Sequence, residues 1–297
     1  MSTVKDFRAL AHSWCAYHLA IGFEHLFIYF DDPAELSDIG LGSRFPAERI
    51  TCVAHDAELR RVWSRLPNAD DFVAHSKHEV QTRQQLNARH AITLAAERGL
   101  DWLLHIDADE LFYPGKGGDA AAHFGSLSRS KVATFCYMNH EAVPEAHGIV
   151  DPFREVRLFK RSLEVVQPTA DAHAAVGFWQ ERQQGSFFYY YDNGKAAVRV
   201  HPEARPLSVH EWLPGRREDM GRWFSNMRSH WAGRGSLGEI VQYMASEACI
   251  LHYPCYNVEA LWTRWRRGND SKRLAAPPLQ CTAAPCARRH THTYIYI

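Results

Sequence analysis

Three carboxylates crowd into four residues at Asp107-Ala108-Asp109-Glu110, directly after the apolar run Trp102-Leu103-Leu104-His105-Ile106. A run this short, preceded by the helix-stopping Gly99, reads as a buried strand of a parallel sheet. In such sheets, ligands gather beyond the C-terminal ends of the strands. Along an extended chain residues two apart point the same way, so Asp107 and Asp109 are expected to offer oxygens to one ion while Glu110 faces elsewhere. Oxygen ligation favours a hard cation, Mg²⁺ or Mn²⁺. Two acids separated by one residue also occur in solvated loops and caps, and it is the strand before them that points to a metal.

The elements around these acids alternate. Phe7, Leu10, Trp14, Tyr17 and Ile21 recur at helical spacing, which predicts an amphipathic helix over 7–20, ended near Gly22. His25 to Phe30 is apolar and aromatic and stops at Asp31-Asp32-Pro33, a second strand that delivers acids to a sheet edge or simply enters a turn. A strand at Ile50 to Val53 and a helix with Ala88, Ala91, Ile92 and Ala95 on its buried face complete the approach to Asp107. Helix and strand in alternation imply right-handed crossovers and a mostly parallel sheet flanked by helices, an α/β fold.

After the Pro114–Gly118 loop the rhythm is mixed. Strands are predicted at Val132–Met138, Glu155–Lys160, Leu207–His210 and Cys249–Tyr253. Phe187–Tyr191 and Lys195–Val200 flank Asp192-Asn193-Gly194, the signature of a tight hairpin. Asn257 is placed to cap a helix running through Trp262 and Trp265. With no internal repeat and no clear linker, residues 1–274 read as one domain. The Pro- and Ala-rich residues from 275 to 297 read as a poorly ordered tail.

Composition narrows the function classes. The chain has 297 residues with 34 Lys+Arg against 34 Asp+Glu, a balance that does not favour nucleic acid or an anionic membrane as main partner. No apolar segment approaches the ~18 residues that span a bilayer, and the opening Met1–Asp6 carries no apolar signal region, so the chain as written is expected to be soluble. Seven scattered cysteines do not suggest a disulfide framework, and most read as buried thiols. Cys281 and Cys286 with His290 and His292 fit no standard zinc finger.

An ordered series of residues resembles glycosyltransferase family 92, a family related to the family 2 transferases: Trp14-x-x-Tyr17-His18, Ile21-Gly22-Phe23, Ile28-Tyr29 with its acidic turn, Gln85-x-Asn87, and Trp102 through Asp107-x-Asp109-Glu110-Leu111. Asn193-Gly194-Lys195, His210-Glu211-Trp212 and Leu251-His252-Tyr253 follow in the same order, and the resemblance covers roughly residues 3 to 266. It implies a GT-A (Rossmann-like) fold, a UDP-sugar donor, with UDP-galactose by family analogy, and Mn²⁺ or Mg²⁺ as cofactor. It further implies that Asp107, Asp109 and the late His252 form the metal site, the second aspartate carrying most of the ligation. Asp31 and Asp32 fall where such enzymes hold uracil or ribose. Lys195 is a cation that could neutralise diphosphate or sit on a solvated face, and it is placed in the site.

Inverting transfer needs a carboxylate that takes the proton of the acceptor hydroxyl, and Glu211 is the expected base, with Asp192 and Glu110 as rivals. Trp212, Trp179 and Tyr190 could stack on sugar rings or serve the core. Arg83 and Arg264 are further cations that either meet diphosphate or face solvent. The partners implied are a nucleotide sugar and a carbohydrate acceptor.

The resemblance departs at the N-terminus: GT-A folds open with a complete strand, and here only Ser2 to Asp6 represent its end. Relatives of that family carry an N-terminal anchor and face the Golgi lumen; the opening residues here do not read as one, as expected either of a fragment or of a chain that lost the anchor and the first strand. Two other classes fit an acidic motif after a strand. One is a metal-dependent phosphohydrolase or nucleotidyltransferase, whose usual phosphate loop is missing because Gly115-Lys116-Gly117-Gly118 lacks the spacing. The other is a catalytically silent nucleotide- or glycan-binding module that keeps the fold.

Overall fold

The computed structural model describes residues 1–67, 70–161, 194–225, 242–254 and 256–257, with short pieces at 170–171, 174 and 294–296. The first half alternates strand and helix: β1 (Ser2–Val4), α1 (Ala11–Ala20), β2 (Leu26–Phe30), α2 (Pro33–Ile39), α3 (Leu41–Arg44), β3 (Ile50–Ala54), α4 (Ala57–Trp63), α5 (Asp70–His75), α6 (Val80–Glu97) and β4 (Trp102–Leu104). β1, β2 and β3 pair in parallel in the order β1-β2-β3. Met1 N donates to Leu104 O at 2.6 Å and Ile106 N to Met1 O at 3.2 Å, the pattern of a parallel pair, so β1 also lies beside the end of β4. The short first strand expected from sequence is therefore three residues long, and it supplies backbone partners on both sides.

β2 shows why this half reads so clearly. It is buried on both faces, with Leu26, Ile28 and Phe30 entering one core and Phe27 and Tyr29 the other. α1 packs into the first core through Trp14, and α6 covers the second through Leu86, Ala88, Ala91, Ile92 and Ala95. α1 begins at Ala11 rather than Phe7, because Phe7 to Leu10 form a turn whose carbonyl at Phe7 accepts from both Leu10 and Ala11.

The second half is mixed, as expected. It contains β5 (Glu110–Tyr113), α7 (Ala120–Arg129), β6 (Thr134–Tyr137), β7 (Asn139–Ala142), α8 (Pro152–Glu155), β8 (Leu158–Lys160), β9 (Lys195–Arg199), β10 (Arg205–Pro206), β11 (Trp212–Leu213), β12 (Trp223–Ser225), β13 (Gln242–Tyr243), β14 (Cys249–His252) and β15 (Tyr294–Tyr296). One sheet runs β13-β12-β6-β9-β4, with β9 antiparallel to both neighbours. A second runs β15-β8-β7-β14-β5, in which β14 is parallel to β7 and antiparallel to β5.

One expected strand is not formed. Leu207–His210 is not a strand but the bend of a small antiparallel ribbon between β10 and β11, closed by Leu207 N donating to Glu211 O at 2.9 Å. The apolar Leu207 and Val209 suggested alternation, yet the turn chemistry of Ser208 decides, its hydroxyl accepting from His210 N at 3.1 Å. In the tail, Tyr294–Tyr296 pair with β8; the rest of 275–297 lies outside the described residues, as do Phe187–Tyr191, Asp192, Asn193, Trp179, Tyr190, Arg264 and the helix through Trp262 and Trp265. Asn257 is described, and its side chain donates to Ile149 O at 3.1 Å. Cys15, Cys136 and Cys249 are buried thiols outside any disulfide and Cys52 is a half-buried one, in line with the sequence reading. No helix among the described residues is long and apolar enough to cross a membrane.

Candidate functional site

β4 ends at Leu104, and the chain does not stay extended through the acids. Asp107 to Asp109 form a turn closed by Glu110 N donating to Asp107 O at 3.2 Å, and Glu110 opens β5. This corrects the expectation that Glu110 faces away. The reversal folds its side chain back under the motif, where one carboxylate oxygen accepts from Asp107 N at 2.8 Å and the other from Asn139 Nδ2 at 3.0 Å.

Lys195 is the counter-ion of this cluster. Its Nζ donates to Asp107 Oδ2 at 2.6 Å and lies 3.8 Å from Glu110 Oε2, with 1% of the side chain exposed. Gly194 brings the backbone there: its φ is +61°, and a Cβ at that position would collide with the Tyr137 carbonyl oxygen. Burial pushes the Asp107 carboxyl up, but the Lys195 ammonium outweighs it and leaves the group below its ordinary value. Burial raises Glu110 to about 7 against the pull of Lys195, with the Asp107 charge adding to the rise. Lys195 therefore bonds the first acid of the motif instead of standing open to solvent as a surface cation.

The second acid meets the late histidine. Asp109 Oδ2 and His252 Nε2 are 3.6 Å apart, with Asp109 about a third exposed and His252 buried. Tyr253 N donates to Asp109 O at 2.8 Å and so fastens the turn to the end of β14. On its other side, His252 Nδ1 meets both oxygens of Glu141, at 2.9 and 3.0 Å. Burial alone would depress the imidazole, but the carboxylates of Glu141 and Asp109 outweigh it and hold its pKa well above the ordinary value.

Asp109 and His252 are the side chains here that would hold a divalent ion, a carboxylate oxygen and an imidazole nitrogen 3.6 Å apart. Asp107 is less free to join, since Oδ2 takes Lys195 and Oδ1 takes Gln84 Nε2 at 3.1 Å, leaving one further lone pair on each. Among the described residues no group of three or more His, Cys, Asp or Glu side chains is arranged to hold a metal ion, so any ion here would take its remaining ligands from outside this pair.

α6 braces the same edge. Its residues Arg83, Gln84 and Asn87 tie down the ends of three strands: Arg83 donates to both oxygens of Asp31 after β2 at 2.5 and 2.7 Å, Gln84 to Asp107 after β4, and Asn87 to Thr3 Oγ1 in β1 at 2.9 Å. Asp32 instead caps α2, accepting from Ala34 N at 3.0 Å, the ordinary turn role weighed for it above. Arg83 thus faces Asp31 and not solvent.

α1 explains another part of the sequence pattern. Trp14 Nε1 donates to Glu110 O at 2.8 Å, Tyr17 Oη to Phe112 O at 3.0 Å, and Phe112 N donates to His18 Nε2 at 3.3 Å. β5 is the last strand of its sheet, so these three side chains saturate an edge that would otherwise lack partners. Trp14, Tyr17 and His18 thereby position the strand that begins with Glu110.

Glu211 lies in the β10–β11 ribbon, half-buried, and burial raises its pKa. Its neighbour His210 anchors the ribbon through Nδ1 and the Gly194 carbonyl at 2.8 Å, while burial and the Lys195 charge lower the imidazole to about 4. Trp212 is in the core, 2% exposed, which removes it as a stacking surface for sugar. Sequence reading missed Asn139 and Glu141 because the predicted strand stopped at Met138. The alternation Asn139-His140-Glu141 just beyond it was the available signal.

No family model matches the chain. Two glycosyltransferase-like proteins of Arabidopsis thaliana are similar to it. One is 28% identical over 209 residues, which is 67% of this chain and 45% of the relative. The other is 26% identical over 208 residues, 67% of this chain and 40% of the relative. The chain spans less than half the length of either. Among solved structures, the mannosyltransferase Ktr4p from S. cerevisiae, in complex with GDP, overlaps 66% of this chain and 55% of its own, loosely, at 11% identity and a TM-score of 0.24. The chain is thus an α/β protein whose curated relatives carry the name glycosyltransferase-like.

Proposed function

We propose that this chain carries the donor site and catalytic carboxylate of a metal-dependent glycosyltransferase. The reaction moves a sugar from a UDP-sugar, UDP-galactose by the family 92 resemblance, to a hydroxyl of a glycan or other acceptor, with inversion. The observation that carries the reading is the pair Asp109 and His252, 3.6 Å apart beyond the end of a sheet strand and each fixed from behind. Mn²⁺ or Mg²⁺ bound there would neutralise diphosphate and assist the departure of UDP as a Lewis acid.

In this reading Asp109 and His252 are the principal ligands, and Asp107 lends a second carboxylate while Lys195 and Gln84 keep it ionised and oriented. Asp31, made rigid by Arg83, accepts from the nucleoside, since Asp32 is committed to its helix cap. Glu211 takes the proton of the acceptor hydroxyl. Its raised pKa brings it nearer the operating pH, which favours a general base. The similarity to glycosyltransferase-like proteins supports the reaction class.

Calorimetric titration with UDP, with and without MnCl₂, tests the reading. Binding that requires Mn²⁺ and disappears in Asp109→Ala, with an unchanged circular dichroism spectrum, is the expected result. Metal-independent binding, or normal binding by Asp109→Ala, refutes the site. Turnover of a UDP-sugar then separates a transferase from a silent module.

A further inference from the structure

We infer that Glu141 is a positioning residue: its carboxylate sets the His252 ring so that Nε2 faces Asp109, and so builds the imidazole half of the cation site. What this says about the cation rests on the function proposed above; what it says about the ring rests on geometry alone.

β7, β14 and β5 lie side by side, and their register places Glu141, His252 and Glu110 directly opposite one another. Residues in direct register share a face of the sheet, so the three side chains form one row. Within it, the two Glu141 oxygens straddle His252 Nδ1 at 2.9 and 3.0 Å. An ionised carboxylate only accepts, so Nδ1 must carry a proton and donate it, and the nitrogen turned toward Asp109 is Nε2. The ring torsion of histidine is broad and roughly two-fold, so without this contact the opposite face, with Nε2 turned away, becomes accessible.

A purely structural ion pair explains the row less well. Glu141 is 11% exposed and His252 7%, and burying two ionisable groups costs several kcal/mol that an apolar pair in the same register would avoid. The cost has a purpose if the ring must point one way. A carboxylate behind a metal-binding histidine fixes its orientation and raises its basicity. Glu141 itself is not a ligand in this arrangement, because its oxygens face the side of the ring away from Asp109.

The test uses the full chain and Mn²⁺ added as MnCl₂, with and without UDP. Electron paramagnetic resonance gives the affinity from free Mn²⁺ and, by echo modulation, the coupling of a histidine nitrogen to the ion. Glu141→Ala is expected to weaken Mn²⁺ binding by roughly 10–100-fold and to reduce the nitrogen coupling. Glu141→Gln, which keeps an oxygen for Nδ1–H, is expected to restore the coupling and most of the affinity. If Glu141→Ala does not fold, Glu141→Asp, which withdraws the carboxylate by one methylene, carries the same test. Wild-type affinity and coupling in these truncating variants overturn the inference, even if stability falls. If the wild type itself shows no nitrogen-coupled Mn²⁺, the metal reading has failed instead. The ring statement is then decided by nitrogen-15 NMR of His252, where an Nδ1–H signal unchanged in Glu141→Ala refutes it and a lost one supports it.

Discussion

Replacing Lys195 by Met tests the electrostatics of the acidic turn. Met has nearly the length of Lys and keeps the apolar stem, so the main change is loss of the ammonium that lies 2.6 Å from Asp107 and 3.8 Å from Glu110. Removing one partner of a buried pair costs about 3–5 kcal/mol when the other charge cannot escape. Asp107 is a third exposed and can recover water, whereas Glu110 is 1% exposed and must instead take up a proton. A cost just below that range follows, about 2–3 kcal/mol, or roughly 3–5 °C in Tm for a chain of this size.

The double variant Lys195→Met/Glu110→Gln removes the stranded acid. It is expected to recover about 1–2 kcal/mol of the loss, a coupling within the range for residues in one network. Urea unfolding at pH 8, where Glu110 is ionised in the wild type, measures all four corners of the cycle. A single variant within 0.5 kcal/mol of wild type, or a double variant no more stable than the single, refutes the assignment of Lys195 as the common counter-ion.

Gly194→Ala meets both a positive φ and the Tyr137 carbonyl, so it is expected to destabilise by at least about 2 kcal/mol and to weaken Mn²⁺-dependent UDP binding by shifting Lys195; thermal unfolding and calorimetry check the two effects. Trp14→Phe loses the bond to Glu110 O at the edge of β5, and a buried carbonyl left without its donor costs about 1–3 kcal/mol, read by urea unfolding. His18 donates from Nδ1 to Trp14 O and accepts at Nε2 from Phe112 N, and burial lowers its pKa to about 3. The unfolded chain therefore binds this proton more readily: the contribution is full above pH 6.5 and is lost as pH falls toward 3, about 2–3 kcal/mol by pH 4.5. His18→Gln should flatten the acid limb of stability against pH by that amount, and an unchanged slope counts against the neutral buried ring.

What the sequence disclosed follows from the range of the interactions involved. β2 declares itself because it is apolar and buried over five consecutive residues, α6 because its buried face recurs along eighteen, and Asp107 and Asp109 because a strand delivers them. The partners that make those acids a site are far away in the chain: Lys195 is 88 residues from Asp107, and Glu141 is 111 from His252. No local period encodes such pairings, and their registers are set by whole sheets. Glu110 was misplaced for a related reason. Side-chain alternation holds only while the backbone stays extended, and a turn of three residues at Asp107–Asp109 is enough to reverse the direction of the next carboxylate. Leu207–His210 failed in the opposite sense, its alternating pattern outweighed by a serine turn that binds its own backbone.

The same reasoning changes what the ordered motifs of this chain mean. Trp14 and Tyr17 were read as the apolar stripe of a helix and, with His18, as part of a family pattern; Trp14 Nε1, Tyr17 Oη and His18 Nε2 bond backbone groups of Glu110 and Phe112, while His18 Nδ1 bonds Trp14 O. They finish the open edge of β5, which otherwise would leave two carbonyls and an amide without partners next to the acidic turn Asp107–Asp109. Arg83, Gln84 and Asn87 do the corresponding work from α6 on the other side. An acidic turn held by one buried lysine needs such bracing, because carboxylates that repel one another would otherwise drift apart into water. The positions most informative in sequence are thus of two kinds, those that meet the ligand and those that hold the strand ends still. Loss of stability without loss of Mn²⁺-dependent UDP binding per folded molecule distinguishes the second kind, and Trp14→Phe against Asp109→Ala is the comparison that shows it.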